Sequence, residues 1–188
     1  MKRLLILNSK GGCGKTTIAT NLAGYYAASG TPTALLDYDP QGSSKRWLEQ
    51  RSEKLSNIHG VFAAKSVQGA VTRSFAQRVP GETRRIVVDT PASMKRMDMM
   101  EMLRSASAVI VPVLPSAIDR HVTVDFLREL TTLCRQMGIK IPGADQLPGL
   151  QTAETDLRRV RYPHGGDTPG HAEICPCRGI RLCHSRNG

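Results

Sequence analysis

The chain has 188 residues, 40% of them hydrophobic and 4% aromatic, with 26 Lys and Arg against 16 Asp and Glu. That length can bury a real core in one α/β domain, and no apolar run reaches the roughly 20 residues a membrane-spanning helix needs. The amino terminus lacks the long apolar stretch of a secretory signal, and five cysteines form no paired framework, so a reducing, cytoplasmic setting is expected.

In chain order, Arg3 to Asn8 reads as a buried strand carrying Leu4-Leu5-Ile6-Leu7. Lys10-Gly11-Gly12-Cys13-Gly14-Lys15-Thr16-Thr17 follows, and Ile18 to Ala28 is helical, with Ile18, Leu22, Tyr25 and Tyr26 on one side. A glycine-rich turn between strand and helix is a place for phosphate. Gly11, Gly12 and Gly14 let the backbone approach a polyphosphate, and their amides converge with the helix amino terminus on negative charge. Lys15 would reach the β- and γ-phosphates, and the Thr16 hydroxyl would ligate Mg²⁺.

Gly30 ends the helix, and Thr33 to Asp37 is a second buried strand that delivers Asp37-Tyr38-Asp39-Pro40-Gln41-Gly42. Two carboxylates at a strand end stand where a metal shell or an attacking water would be held. Ser43 to Arg51 reads as a helix capped by Ser43 or Ser44, with Trp47 and Leu48 toward the body. A short strand at Ile58 to Phe62 and a helix at Ser66 to Gln77 come next. Arg85-Ile86-Val87-Val88-Asp89 then ends an apolar run in a carboxylate, the Walker B arrangement, in which Asp89 holds Mg²⁺ through a water.

Met94, Met97, Met99, Met100 and Met102 crowd one short helix, which is expected to rest on the sheet, although methionines also suit an adaptable partner face. Ala108 to Leu114 is a further buried strand, and Asp119 to Met137 a helix with Val122, Phe126, Leu130 and Leu133 along one side. Gly138 closes it, and Ile139-Lys140-Ile141 begins what should be another strand.

The net charge of +10 is unevenly placed. Residues 1–143 hold 20 cationic and 11 acidic side chains, a balance of +9, while 144–188 hold six and five. Such an excess attracts a polyanion, DNA first, by a salt-sensitive and sequence-independent force. A solvated basic surface explains the charge equally well.

Lys-Gly-Gly-Cys-Gly-Lys-Thr-Thr, Asp37-x-Asp39-Pro-Gln-Gly, Val-Val-Asp89-Thr-Pro-Ala and Val111-Pro-Val-Leu-Pro-Ser116 occur in that order. Together they resemble the ParA/MinD family of deviant Walker P-loop ATPases, and most closely its ParA-type partition and positioning members, over about residues 1–141. The resemblance implies a doubly wound, mostly parallel sheet with helices on both faces, and an ATP-sandwich homodimer with Mg²⁺. Lys10 looks like the signature lysine that crosses to the partner's nucleotide. Lys15 and Thr16 match the phosphate-binding lysine and the Mg²⁺ ligand. Asp39 matches the residue that positions the hydrolytic water, and Asp37 is a supporting carboxylate of the metal site with Asp89. Phosphate contacts are thereby expected from Gly11, Gly12, Cys13, Gly14, Lys15, Thr16 and Thr17.

The family further implies nonspecific binding to nucleoid DNA, a ParB-type or cargo adaptor that stimulates hydrolysis, and a plasmid, chromosome or carboxysome as cargo. No membrane partner is expected, because Leu157 to Tyr162 is too short and too polar to be an amphipathic anchor. The family pattern is expected to stop near Gly143, giving an incomplete ATPase domain over 1–143 and an irregular tail over 144–188, as a shifted reading frame would. Two alternatives accompany this reading. One is a noncatalytic remnant that binds nucleotide weakly. The other is an iron-sulfur carrier using the tail's Cys175-x-Cys177-x₅-Cys183-His184 cluster, whose residue types suit zinc or iron-sulfur ligation.

Overall fold

The computed structural model describes residues 1–63, 79–114, 117–139 and 180–184. Strands β1 (Lys2–Ile6), β2 (Thr33–Asp37), β3 (Ile58–Phe62), β4 (Arg85–Asp89), β5 (Ala108–Val113) and β6 (Ile180–His184) form one sheet in the order β3-β2-β4-β1-β5-β6. Every neighbouring pair is parallel. Helices α1 (Lys15–Ala28), α2 (Ser43–Glu49), α3 (Arg96–Ser105) and α4 (Ala117–Gln136) accompany it.

Because side chains alternate along a strand, β1 feeds two cores at once. Leu4 and Ile6 join Leu35, Val87 and Ile110 beneath α1, where Ala19, Leu22, Ala23 and Ala27 are buried. Leu5 and Leu7 point the other way, into a larger core with Val88, Val109 and Val111, covered by Met99 and Leu103 of α3 and by Phe126, Leu127, Leu130 and Leu133 of α4. Helices therefore lie on both faces, as expected.

The face of α1 differs from the sequence expectation. Three alanines four residues apart form its seam, with Leu22 beside them, while Tyr25 is 60% exposed. Small residues let the helix sit close to the sheet, and a tyrosine on the flank of that seam is left outside. On α3 the methionines mostly serve the core. Met99 is buried and Met100 and Met102 pack against the same cluster, as does Met94, which precedes the helix and does not share it as expected, whereas Met97 is 74% exposed.

The strand beside β5 is Ile180–His184, with Val109 opposite Ile180 and Val113 opposite His184. Of the run Ile139-Lys140-Ile141, expected to begin another strand, Ile139 alone is described, and the rest lies outside the described residues. Ile139 donates its N–H to the Cys134 carbonyl at 2.9 Å, just after Gly138 turns left-handed at φ 66°, and so closes α4. The expected helix at 66–77, and Cys175 and Cys177 of the tail cluster, lie outside the described residues.

Candidate functional site

The strand order reverses about β1: from β1 the chain first builds β2, β3 and β4 on one side, then β5 on the other. In an open α/β sheet the crevice at the carboxyl ends of the strands, where the order reverses, is the place for a ligand. The loop from Leu7 to Gly14 and the carboxylates of β2 and β4 all meet at that edge.

The loop is anchored by Asn8, a residue that the sequence reading did not single out. Buried at the end of β1, it donates its amide to the Pro112 carbonyl of β5 at 2.6 Å and accepts the Lys10 N–H at 3.1 Å. A polar residue directly after an apolar strand was the available signal. Gly12 and Gly14 adopt φ values of 73° and 87°, which an L side chain rarely tolerates, and no protein atom lies within 4 Å of the place a Cβ would occupy. Gly14 is also the N-cap residue of α1.

Lys15 is buried, and its ammonium folds back to donate to the Lys10 carbonyl at 2.8 Å, with the Cys13 sulfur at 3.7 Å. The Cys13 thiol itself donates to that same carbonyl at 3.2 Å. Thr16 is half-buried and Thr17 exposed, so the loop's far side opens to solvent. Lys10 is half-buried at the rim.

Across from the loop, Asp37 and Asp89 are register partners on adjacent strands. Asp37 is 2% exposed, yet both its oxygens are satisfied by backbone: Oδ1 accepts the Asp39 N–H at 2.9 Å and Oδ2 the Lys45 N–H at 3.0 Å. It acts as the cap of α2, whose own first residues make no side-chain cap. Burial pushes its pKa up, the amides of Lys45 and Asp39 oppose the rise, and the Asp39 charge adds to it.

Asp39, half-buried on the following turn, accepts the Gln41 N–H at 2.9 Å. Gly42 holds φ at 63°, starting α2. Ser44, expected as a helix cap, instead turns its fully buried hydroxyl across the sheet edge to Asp89 Oδ2 at 2.6 Å. No sequence spacing indicates this, because the partner lies 45 residues away in the chain.

Asp89 is 0% exposed, and its Oδ1 has no hydrogen-bond partner. Burial raises its pKa above the ordinary carboxyl value. The hydroxyl of Ser44 and, more weakly, that of Thr16 oppose the rise, and the charges of Asp37 and Asp39 reinforce it. A buried carboxylate oxygen without a partner is costly unless something is meant to meet it. With Thr16 near the same carboxylate at the mouth of a phosphate-type loop, that oxygen fits the hydration shell of a divalent cation.

Among the described residues, no group of three or more His, Cys, Asp and Glu side chains is placed to hold a metal by itself. Mg²⁺ does not require one, since it is commonly held by one or two protein groups, phosphate oxygens and waters. The residues present fit Mg²⁺ bound together with a polyphosphate. The structure thus gathers Lys10, Gly11, Gly12, Cys13, Gly14, Lys15, Thr16, Asp37, Asp39 and Asp89 around one edge of the sheet.

The profile of the CobQ/CobB/MinD/ParA nucleotide binding domain matches residues 4–152. The chain belongs to this family. That match runs from β1 through the end of α4 and beyond it. Maintenance of carboxysome distribution protein A from Halothiobacillus neapolitanus is 33% identical over 116 residues, which are 62% of this chain and 52% of that protein. The chain therefore spans about half the length of the curated relatives it matches.

Among solved structures, cobyrinic acid a,c-diamide synthase from Mycobacterium smegmatis with bound ATP analog and magnesium superposes with a TM-score of 0.54. It is 20% identical and covers 72% of this chain and 69% of its own. The pNOB8 ParA bound to nonspecific DNA gives a TM-score of 0.50 at 19% identity, covering 69% and 59%. These likenesses establish the fold, in keeping with the family.

Proposed function

We propose that the chain is the nucleotide-binding part of a ParA-type positioning ATPase that binds and hydrolyses ATP with Mg²⁺. The observation that carries this reading is the partnerless oxygen of Asp89, buried beside a glycine loop that ends in Lys15 and Thr16. Cobyrinic acid a,c-diamide synthase, of the same fold, holds an ATP analog with magnesium.

In this reading the amides of Gly11 to Thr17 and the Lys15 ammonium receive the phosphates, Lys15 exchanging the Lys10 carbonyl for phosphate oxygens. Thr16 and Asp89 hold Mg²⁺, with Asp37 supporting them by fixing the turn that carries Asp39. Bound Mg²⁺ would offset charge on the β- and γ-phosphates. Asp39 orients the attacking water, and Lys10 completes the site of a second subunit, so ATP binding and dimerisation are one event.

The ATP dimer binds DNA nonspecifically through the basic surface, a ParB-type or cargo adaptor stimulates hydrolysis, and a plasmid, chromosome or carboxysome is positioned on the nucleoid. A cytoplasmic, nucleoid-associated protein follows from that cycle. Among the described residues no helix is long and apolar enough to cross a membrane.

The deciding experiment measures DNA retention of the purified chain with and without ATP at low and high salt. ATP-dependent retention that weakens as salt rises is the expected result. Retention indifferent to nucleotide would overturn the cycle and favour the noncatalytic reading. Replacing Lys10 by Ala should abolish ATP-dependent dimerisation in sedimentation, and a variant that still dimerises on ATP would remove the role given to that lysine.

A further inference from the structure

Ser44 is fully buried, and its hydroxyl lies 2.6 Å from Asp89 Oδ2, within the range of an O–H donating to a charged oxygen. The other oxygen of the same carboxylate, Oδ1, has no partner. A carboxylate has two chemically equal oxygens, and at this site the Ser44 hydroxyl takes one of them.

Ser44 is itself held. The N–H of Lys45, the next residue, donates to Asp37 Oδ2 at 3.0 Å, and Asp37 Oδ1 takes the Asp39 N–H at 2.9 Å. Asp37 stands directly opposite Asp89 in the strand register. One turn of α2 thereby ties together the carboxylate on β2, the loop carrying Asp39 and the carboxylate on β4. We infer that Ser44 is a positioning residue: by occupying Asp89 Oδ2 it fixes the carboxylate so that Oδ1 faces the cation site, and it couples that orientation to the Asp39 turn. This inference rests on the Mg-ATP reading above.

The test uses the whole chain and a nonhydrolysable fluorescent ATP analogue, titrated with Mg²⁺ and, separately, in EDTA. Ser44→Ala is expected to raise the Mg²⁺ concentration for half-maximal tightening by about 10-fold to 100-fold, the usual effect of losing a group that orients a metal ligand. Binding in EDTA should be unchanged, because the Ser44 hydroxyl is engaged by Asp89, which acts on the nucleotide through the cation. Ser44→Cys, close in volume and a poor donor, should shift the Mg²⁺ dependence likewise and serves if the alanine variant does not fold. Ser44→Thr should restore it.

An unchanged Mg²⁺ dependence in a folded variant overturns the inference and leaves the Mg-ATP reading intact. Equal loss in EDTA and in Mg²⁺ overturns it too, since that marks a merely structural residue. If the parent chain binds the analogue without any Mg²⁺ response, the reading and the inference fail together.

Discussion

At Asp89 the folded chain buries a carboxyl whose pKa burial raises. A carboxyl whose pKa is higher folded than unfolded holds its proton more tightly in the folded state. The folded form is therefore penalised at pH above both values, and the penalty fades as pH falls through the folded one. Asp89→Asn should accordingly raise the melting temperature without nucleotide at pH 7, by about 2–4 °C for each kcal/mol relieved in a domain of this size. The gain should shrink on acidification toward the ordinary carboxyl range near 4. Thermal unfolding at several pH values checks this, and a variant less stable than its parent at pH 7 would show the buried charge to be fully compensated. Asp39 carries the opposite expectation. It is half-buried, and its contact with the capping Asp37 is made by its backbone N–H and not its carboxylate, so Asp39→Ala should keep nucleotide binding and lower turnover by about 10²-fold to 10⁴-fold; phosphate release at the parental rate would reject its role.

Among the elements, α4 shows how burial departs from a helical stripe drawn on sequence. Leu130 and Leu133 are 0% exposed and Phe126 is buried, but Val122, drawn on the same side, is 41% exposed. The stripe read Phe126, Leu130 and Leu133 correctly, but the same four-residue step carried back from Phe126 leads to an exposed position. It failed at Val122, while Val124 and Leu127, off the drawn line, are buried. Leu133→Ala should cost about 2–5 kcal/mol, as large-to-small changes in closed cores do, and Val122→Ser should stay within about 0.5 kcal/mol. Urea denaturation of the two variants tests the pair, and comparable losses would mean that α4 covers the sheet by a different face. Helix α2 teaches the same lesson through polar groups. Ser44 looked like a cap, but the cap is Asp37, seven residues before Ser44, and the serine is free to serve Asp89.

For the whole molecule, the charge of +10 sets the expected DNA behaviour. If six to ten phosphates are neutralised, affinity should fall by about 10³-fold to 10⁵-fold between 50 and 200 mM salt. A shallow salt slope in a fluorescence-anisotropy titration would put the basic side chains outside the interface. The chain matches about half the length of its curated relatives, so the adaptor and cargo contacts proposed above concern the assembled protein and not the loop alone.

The local signals in the amino acids were sufficient for the strands β1, β2, β4 and β5, for the glycine loop and for the order of the carboxylates. Apolar runs, left-handed turns and a strand-loop-helix junction are properties of neighbouring residues. What only the folded chain decided are contacts between distant segments: Asp37 opposite Asp89, Ser44 on Asp89, Asn8 bridging to Pro112, and Ile180–His184 beside β5. Hydrogen bonds of that kind depend on strand order and register, which no local periodicity encodes. One of them, Ser44 on Asp89 Oδ2, leaves Oδ1 without a hydrogen-bond partner.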